Sequence, residues 1–155
     1  RDVISRMDVL MRAAGCDMTI RGPDSIPAFF DSRRIEQAVI NLLANAAKYA
    51  PGSRIEVALS VDGDNVRVEV RDDGPGIPPK DHDRIFKAFN RGTAKSAAEG
   101  LGLGLFVTQG VIRAHGGTVS LVSKPGEGTC FTIEMPRWRP CGARLRRSRR
   151  VATSL

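Results

Sequence analysis

Near the start of the chain, Val3, Ile4, Met7, Leu10 and Met11 share one face of residues 2–14. That three-and-four spacing predicts an amphipathic helix, with Gly15 as its stop. Residues 17–21 read as a short edge strand, and residues 22–30 as a proline-bearing connection. Helical spacing returns with Ile35, Ala38, Val39, Leu42 and Ala46. A second helix should therefore open at Asp31 or Ser32 as N-cap, run to Tyr49 and end at Ala50-Pro51-Gly52.

The period then changes from near four to two. Ile55, Val57, Leu59 and Val61 alternate with polar residues, as do Val66, Val68 and Val70. Asp62-Gly63-Asp64-Asn65 between them predicts a hairpin turn. Residues 71–103 form a long irregular stretch with one short helix expected over 81–88, and a connection of this length usually carries function. Residues 104–115 read as a helix stopped by Gly116-Gly117. A second hairpin follows, with strands 118–123 and 129–135. The sum is an α/β (α+β) fold: a two-layer sandwich with helices on one face of a mixed, mostly antiparallel sheet.

Composition changes this picture little. Apolar residues make up 41% and charged residues 26% of 155 positions, enough for one domain with a real core. Cys16, Cys130 and Cys141 are scattered and the histidines are two, so no zinc spacing exists and reduced thiols are expected. No apolar run approaches the ~18–20 residues of a membrane span. Charge is more informative. The net charge of +7 lies wholly in residues 137–155, which hold seven arginines and no acid, whereas residues 1–136 carry 17 basic and 17 acidic residues. Residues 1–136 are thus expected to form the domain and 137–155 a basic, disordered tail. A neutral body argues against nucleic acid as the partner.

Three clusters carry candidate chemistry. Gln37, Asn41, Asn45 and Lys48 recur at intervals of four, four and three, so they form one stripe on the second helix. The stripe suits a magnesium–phosphate surface, and equally a solvated face. Asp72 ends an alternating strand and precedes Gly74 and Gly76. A carboxylate there could accept from the exocyclic amine of adenine, although Asp-x-Gly-x-Gly alone reads as a turn. Gly100, Gly102 and Gly104 open a helix, and helix N-termini offer unpaired amides to phosphate. No Gly-Lys-Ser/Thr follows and no strand precedes, so this is neither a Walker A loop nor a dinucleotide fingerprint.

Taken in order, these segments resemble one family. Residues 41–49 look like its N box, 72–77 its G1 box, 84–91 its F box, 100–105 its G2 box and 126–129 its last glycine box. The resemblance is to the catalytic ATP-binding domain of two-component sensor histidine kinases, in the gyrase, heat-shock chaperone, histidine kinase and MutL superfamily, and it covers residues 1–136. It implies the Bergerat ATP-binding fold and a protein histidine kinase (phosphotransferase). Asn45 would bind Mg²⁺, Asn41 would support the phosphate region, and Lys48 would contact phosphate. Tyr49 would lie over the adenine, and Asp72, helped by Thr129, would read its amine. Gly74, Gly76, Ile77 and Phe89 would complete the base side. Gly100, Leu101, Gly102, Leu103, Gly104 and Leu105 would wrap the triphosphate, with Arg91 reaching the γ-phosphate. Residues 90–101 would be a mobile lid, hinged at Phe86 and Phe89.

The resemblance has its departures. Asn90 stands where an aromatic is common, and Leu101 where Ser or Thr is frequent. ATPases of the superfamily carry a glutamate at position 41 to activate water, and an amide is no general base. Transfer to a protein acceptor is therefore expected over hydrolysis. His115 reads as a helix-end packing residue and His82 as a surface residue, and the resemblance implies that the phosphoacceptor histidine belongs to a dimerisation domain outside this chain. By the same resemblance a response regulator would act downstream, and this domain would be cytoplasmic, the cytoplasmic part of a membrane-bound bacterial sensor. The alternatives are an anti-sigma-factor serine kinase and a protein-contact module without catalysis.

Overall fold

The structure, a computed structural model, describes residues 2–89 and 102–138, with side chains from Met7 onward. Helix α1 (Asp2–Ala13) is followed by strand β1 (Asp17–Arg21). Between them Gly15 has φ +70°, a conformation that costs other residues steric energy. Helix α2 (Ser32–Tyr49) opens at Asp31, whose side chain accepts from the Arg34 amide at 3.3 Å. Asp31, not Ser32, is therefore the N-cap.

Strands β2 (Arg54–Asp62) and β3 (Asn65–Asp72) form the first hairpin, closed through Gly63 at φ +57°. Helix α3 (Gly104–Ala114), β4 (Thr118–Ser123) and β5 (Thr129–Pro136) complete the described elements. The sheet order is β1-β2-β3-β5-β4. β1 pairs parallel with β2 and every other pair is antiparallel, so the sheet is mixed and mostly antiparallel, as the sequence predicts.

Cross-strand register explains why one face is buried. Val57, Val70, Phe131 and Leu121 lie side by side across β2, β3, β5 and β4. Leu59, Val68, Ile133 and Val119 form the next row. These rows pack in one core with Ile35, Ala38, Val39, Leu42, Leu43, Ala46 and Ala47 of α2, with Ile112 of α3 and with Met7 and Met11 of α1. Each fully buried aliphatic side chain stabilises the fold by roughly 1.5–3 kcal/mol. The opposite face carries Glu56, Arg67, Glu69, Arg71 and Glu134, and Arg67 pairs there with Glu134 and Asp62.

One expectation fails. Residues 81–88 are not an α-helix: a 3₁₀ turn, Pro79–Asp81, is followed by separate turns. Arg84 and Ile85 both donate to the Asp81 carbonyl, and Lys87 donates to that of Arg84. Ile85 and Phe86 both pack on the core. Cys16 and Cys130 are free thiols. Among the described residues, no helix is long and apolar enough to cross a membrane.

Candidate functional site

The apolar rows end in a polar one. Ile55, Asp72, Thr129 and Ser123 are direct neighbours across the four strands, and the three polar members are all buried. Asp72 is only 7% exposed. Burial pushes its pKa above the usual carboxylate value, while the amides of Gly74 and Thr129 donate to it and pull the other way, and nearby Asp73 adds to the rise. Gly74 donates to Oδ1 at 3.0 Å. The carboxylate is fixed in place with acceptor capacity remaining.

The glycines after Asp72 are needed for packing. A Cβ on Gly74 would stand 2.3 Å from Cβ of Ala50, at the end of α2. A Cβ on Gly76, at φ +70°, would stand 1.9 Å from the Lys124 carbonyl oxygen. Gly128, at φ +80°, faces the Asp72 carbonyl in the same way, at 2.1 Å. The loop after β3 is thus pressed between the C-terminus of α2 and the β4–β5 turn. Ile77 is clamped at both backbone groups: its amide donates to Ser123 Oγ at 2.8 Å, and its carbonyl lies 2.9 Å from His82 Nε2. His82 is half-buried and tied to the loop, so its reading as a plain surface residue is corrected.

The stripe on α2 divides by role. Gln37 Nε2 donates to Asn41 Oδ1 at 3.1 Å. Asn41 Nδ2 donates to the Gly104 carbonyl at 3.2 Å and to Thr108 Oγ1 at 3.3 Å. Asn41 thus binds α2 to the N-terminus of α3, and Gln37 braces Asn41 from the preceding turn. The half-buried Asn45 side chain makes no hydrogen bond to another described residue. Lys48 Nζ lies 5.0 Å from the centroid of the Tyr49 ring, which is part-exposed. At the start of α3, Gly102 has φ +67°. Leu103 supplies no side-chain cap, so the first amides of the helix lack the side-chain partner they often have. Gly104 faces Asn41, and Leu105 packs on the core.

Asp72 and the start of α3 therefore mark two ends of one surface. The stretch of α2 from Asn41, beside Gly104, to Ala50, beside Gly74, is about 14 Å long at 1.5 Å per residue. Asn45 and Lys48 lie between. One end presents a hydrogen-bond acceptor and the other a helix N-terminus suited to an anion.

Other expectations divide. Phe86 is an anchor, packed edge-on against Phe131 with centroids 6.3 Å apart at 84°. Phe89 is not: it is 74% exposed, at φ +59°. Arg91, Gly100 and Leu101, and the expected lid over 90–101, lie outside the described residues, as do residues 139–155. Ser123 is the residue that sequence reading missed. Its signal was a serine at an inward position of an otherwise apolar alternation.

Residues 30–139 match the family described as histidine kinase-, DNA gyrase B-, and HSP90-like ATPase. The sensor protein KdpD of Escherichia coli is 40% identical over 109 residues, covering 69% of this chain and 12% of KdpD. The adaptive-response sensory kinase SasA of Synechococcus is 40% identical over 134 residues, covering 83% of this chain and 35% of SasA. The chain thus spans about a third or less of these relatives. The mycobacterial sensor histidine kinase MprB superposes with TM-score 0.73 at 30% identity, covering 87% of this chain and 93% of that one. Full-length ShkA in complex with AMPPNP gives TM-score 0.77 at 30% identity, over 88% of this chain and 28% of ShkA. The chain belongs to the histidine kinase-, DNA gyrase B-, and HSP90-like ATPase family, and within it corresponds to the ATP-binding catalytic domain of sensor histidine kinases.

Proposed function

We propose that this domain binds ATP with Mg²⁺ along the α2 surface and presents the γ-phosphate to a histidine in a dimerisation and phosphoacceptor domain outside this chain. The observation that carries the reading is the placement of a buried acceptor, Asp72, and the α3 N-terminus at opposite ends of one helix face, with Asn45 and Lys48 between. Asp72 accepts from the adenine amine, with Thr129, Gly74, Gly76 and Ile77 shaping the base pocket. Tyr49 flanks the ring. Lys48 and the residues from Gly102 to Leu105 offset triphosphate charge. Phosphoryl transfer then depends on positioning and charge neutralisation.

Asn45 fits the metal. Its amide oxygen is a hard donor with no partner among the described residues. No cluster of three His, Cys, Asp or Glu exists among those residues, which suits an ion held chiefly by substrate phosphates and water. Bound Mg²⁺ would supply charge neutralisation on the β- and γ-phosphates. Asn41 is engaged with α3 and is no base, so transfer to a protein is favoured over hydrolysis. A response regulator downstream and a cytoplasmic setting, in a sensor anchored in the membrane by other segments, complete the proposal.

Calorimetry with ATP, with and without Mg²⁺, tests it. Binding that strengthens with Mg²⁺ and collapses in Asp72→Asn is the expected result. An unmodified, folded chain that fails to bind ATP would overturn it.

A further inference from the structure

Ser123 sits at the crossing of three hydrogen bonds, and their count fixes the direction of each. A serine hydroxyl has one proton to donate and two lone pairs to accept with. The Ile77 amide, 2.8 Å from Ser123 Oγ, can only donate. The Gly128 carbonyl, also 2.8 Å away, can only accept, so it takes the serine proton. The third partner, Thr129 Oγ1 at 3.1 Å, must then be the donor to Ser123. All three positions on Ser123 Oγ are filled, and the residue is 7% exposed, so water has little room to compete.

Thr129 is the buried neighbour of Asp72 across the β3–β5 pair. With its proton committed to Ser123, its hydroxyl offers any ligand lone pairs only. We infer that Ser123 is a specificity-determining residue: by holding the Thr129 proton, it makes the base pocket accept-only and so selects a purine with an amine at C6 over one with a carbonyl. The inference rests on the proposed reading of Asp72 and Thr129 as the adenine end of the site. Asp72 and Thr129 would then both present acceptors, and a C6 carbonyl placed against them meets lone pairs with no proton to accept. Sites built in this way reject the wrong partner strongly, because the mismatch strands buried groups. Ser123 touches no reacting atom. It acts through Thr129 on one side and through the Ile77 loop on the other.

The test is calorimetric binding of Mg·ATP and Mg·ITP to the chain and to Ser123→Ala, Ser123→Cys and Ser123→Thr. ITP differs from ATP in carrying a C6 carbonyl and a proton on N1. The unmodified chain should prefer ATP by at least about tenfold. In Ser123→Ala the Thr129 hydroxyl is free to rotate and donate, and the ATP:ITP ratio should fall about fivefold or more. Ser123→Thr, which keeps the hydroxyl, should retain the ratio. Ser123→Cys fills similar volume with a weak donor and acceptor and should lower the ratio in the same direction, so it serves if the alanine variant does not fold. A folded Ser123→Ala or Ser123→Cys that keeps the full ATP:ITP ratio would overturn the role of Ser123 while leaving the nucleotide site intact. An unmodified chain that binds neither nucleotide would instead overturn the adenine reading on which the role rests.

Discussion

Asn41 Nδ2 lies 3.2 Å from the carbonyl oxygen of Gly104 and 3.3 Å from Thr108 Oγ1, so one side chain of α2 holds the first turn of α3. Thr108 is fully buried. Removing the donor takes a hydrogen bond from the buried Thr108 hydroxyl and one from the Gly104 carbonyl, at about 1–3 kcal/mol. Asn41→Ala should lower the free energy of unfolding by that amount and weaken ATP binding, because the α3 N-terminus loses its register against α2. Asn41→Asp should be worse than alanine, since it sets an acceptor against the Gly104 carbonyl. Chemical denaturation and calorimetry on the two variants check the order.

Asp72 should oppose stability and binding to one another. Its folded-state pKa is raised above the usual 3.8, chiefly by burial. A raised value means that the folded state favours the protonated acid. Stability from this group is therefore fully present below about pH 3.8 and is lost as pH rises through the raised value. Asp72→Asn removes that loss. Its melting temperature should exceed that of the unmodified domain at neutral pH and converge with it in acid. The same variant should bind ATP about ten- to hundredfold more weakly, the cost of losing a charged acceptor. An Asp72→Asn domain that melts earlier at pH 7 would contradict the burial argument.

Periodicity made most of the fold legible. The alternations in β2 and β3 and the α2 stripe follow directly from which residues must face the core. Glycine was harder. Gly74 and Gly76 read from sequence as freedom for a turn and close approach to a base, whereas Gly74 is there because Ala50 leaves no room for a Cβ. That constraint comes from a residue 24 positions earlier and leaves no local mark. The 81–88 segment failed for a related reason. A short helix is expected there, but Phe86 finds Phe131 and Asp81 collects two amides at its carbonyl, so tertiary contacts set the local path. Polar stripes are ambiguous for the same reason: nothing in the spacing of Gln37, Asn41, Asn45 and Lys48 says which members face α3.

The glycines give a graded prediction. Gly52 and Gly63 have positive φ, but a Cβ there meets nothing within 4 Å. Alanine at either should cost about 1–2 kcal/mol, the strain of the left-handed conformation alone. Gly76 and Gly128 combine positive φ with a Cβ position about 2 Å from a backbone carbonyl oxygen. Alanine there must displace the loop after Asp72 or the β4–β5 turn, and should cost more than about 3 kcal/mol and abolish ATP binding. Equal losses at all four positions in urea denaturation would show that φ alone, and not the packing of the two loops, decides the cost.

His115 should prove structural. It caps α3, its Nδ1 lies 2.8 Å from the Val111 carbonyl, and its Nε2 accepts from the Asp31 amide at 3.2 Å. An amide can only donate and a carbonyl can only accept, so the ring carries its proton on Nδ1 and its lone pair on Nε2. Both nitrogens are thus committed, one to the end of α3 and the other to the N-cap of α2. Neither is free to attack a phosphate without breaking a contact between the helices. His115→Ala should lower stability by about 1 kcal/mol, the ordinary worth of such bonds at a part-exposed site. ATP affinity should stay within about twofold, because the lost contact lies at the far end of α2 from Asp72. In an intact kinase carrying this domain, the same substitution should leave histidine phosphorylation in place once the protein is assayed well below its melting temperature. Loss of the phosphohistidine signal from a folded His115→Ala protein with normal ATP affinity would make His115 an acceptor and overturn its structural assignment.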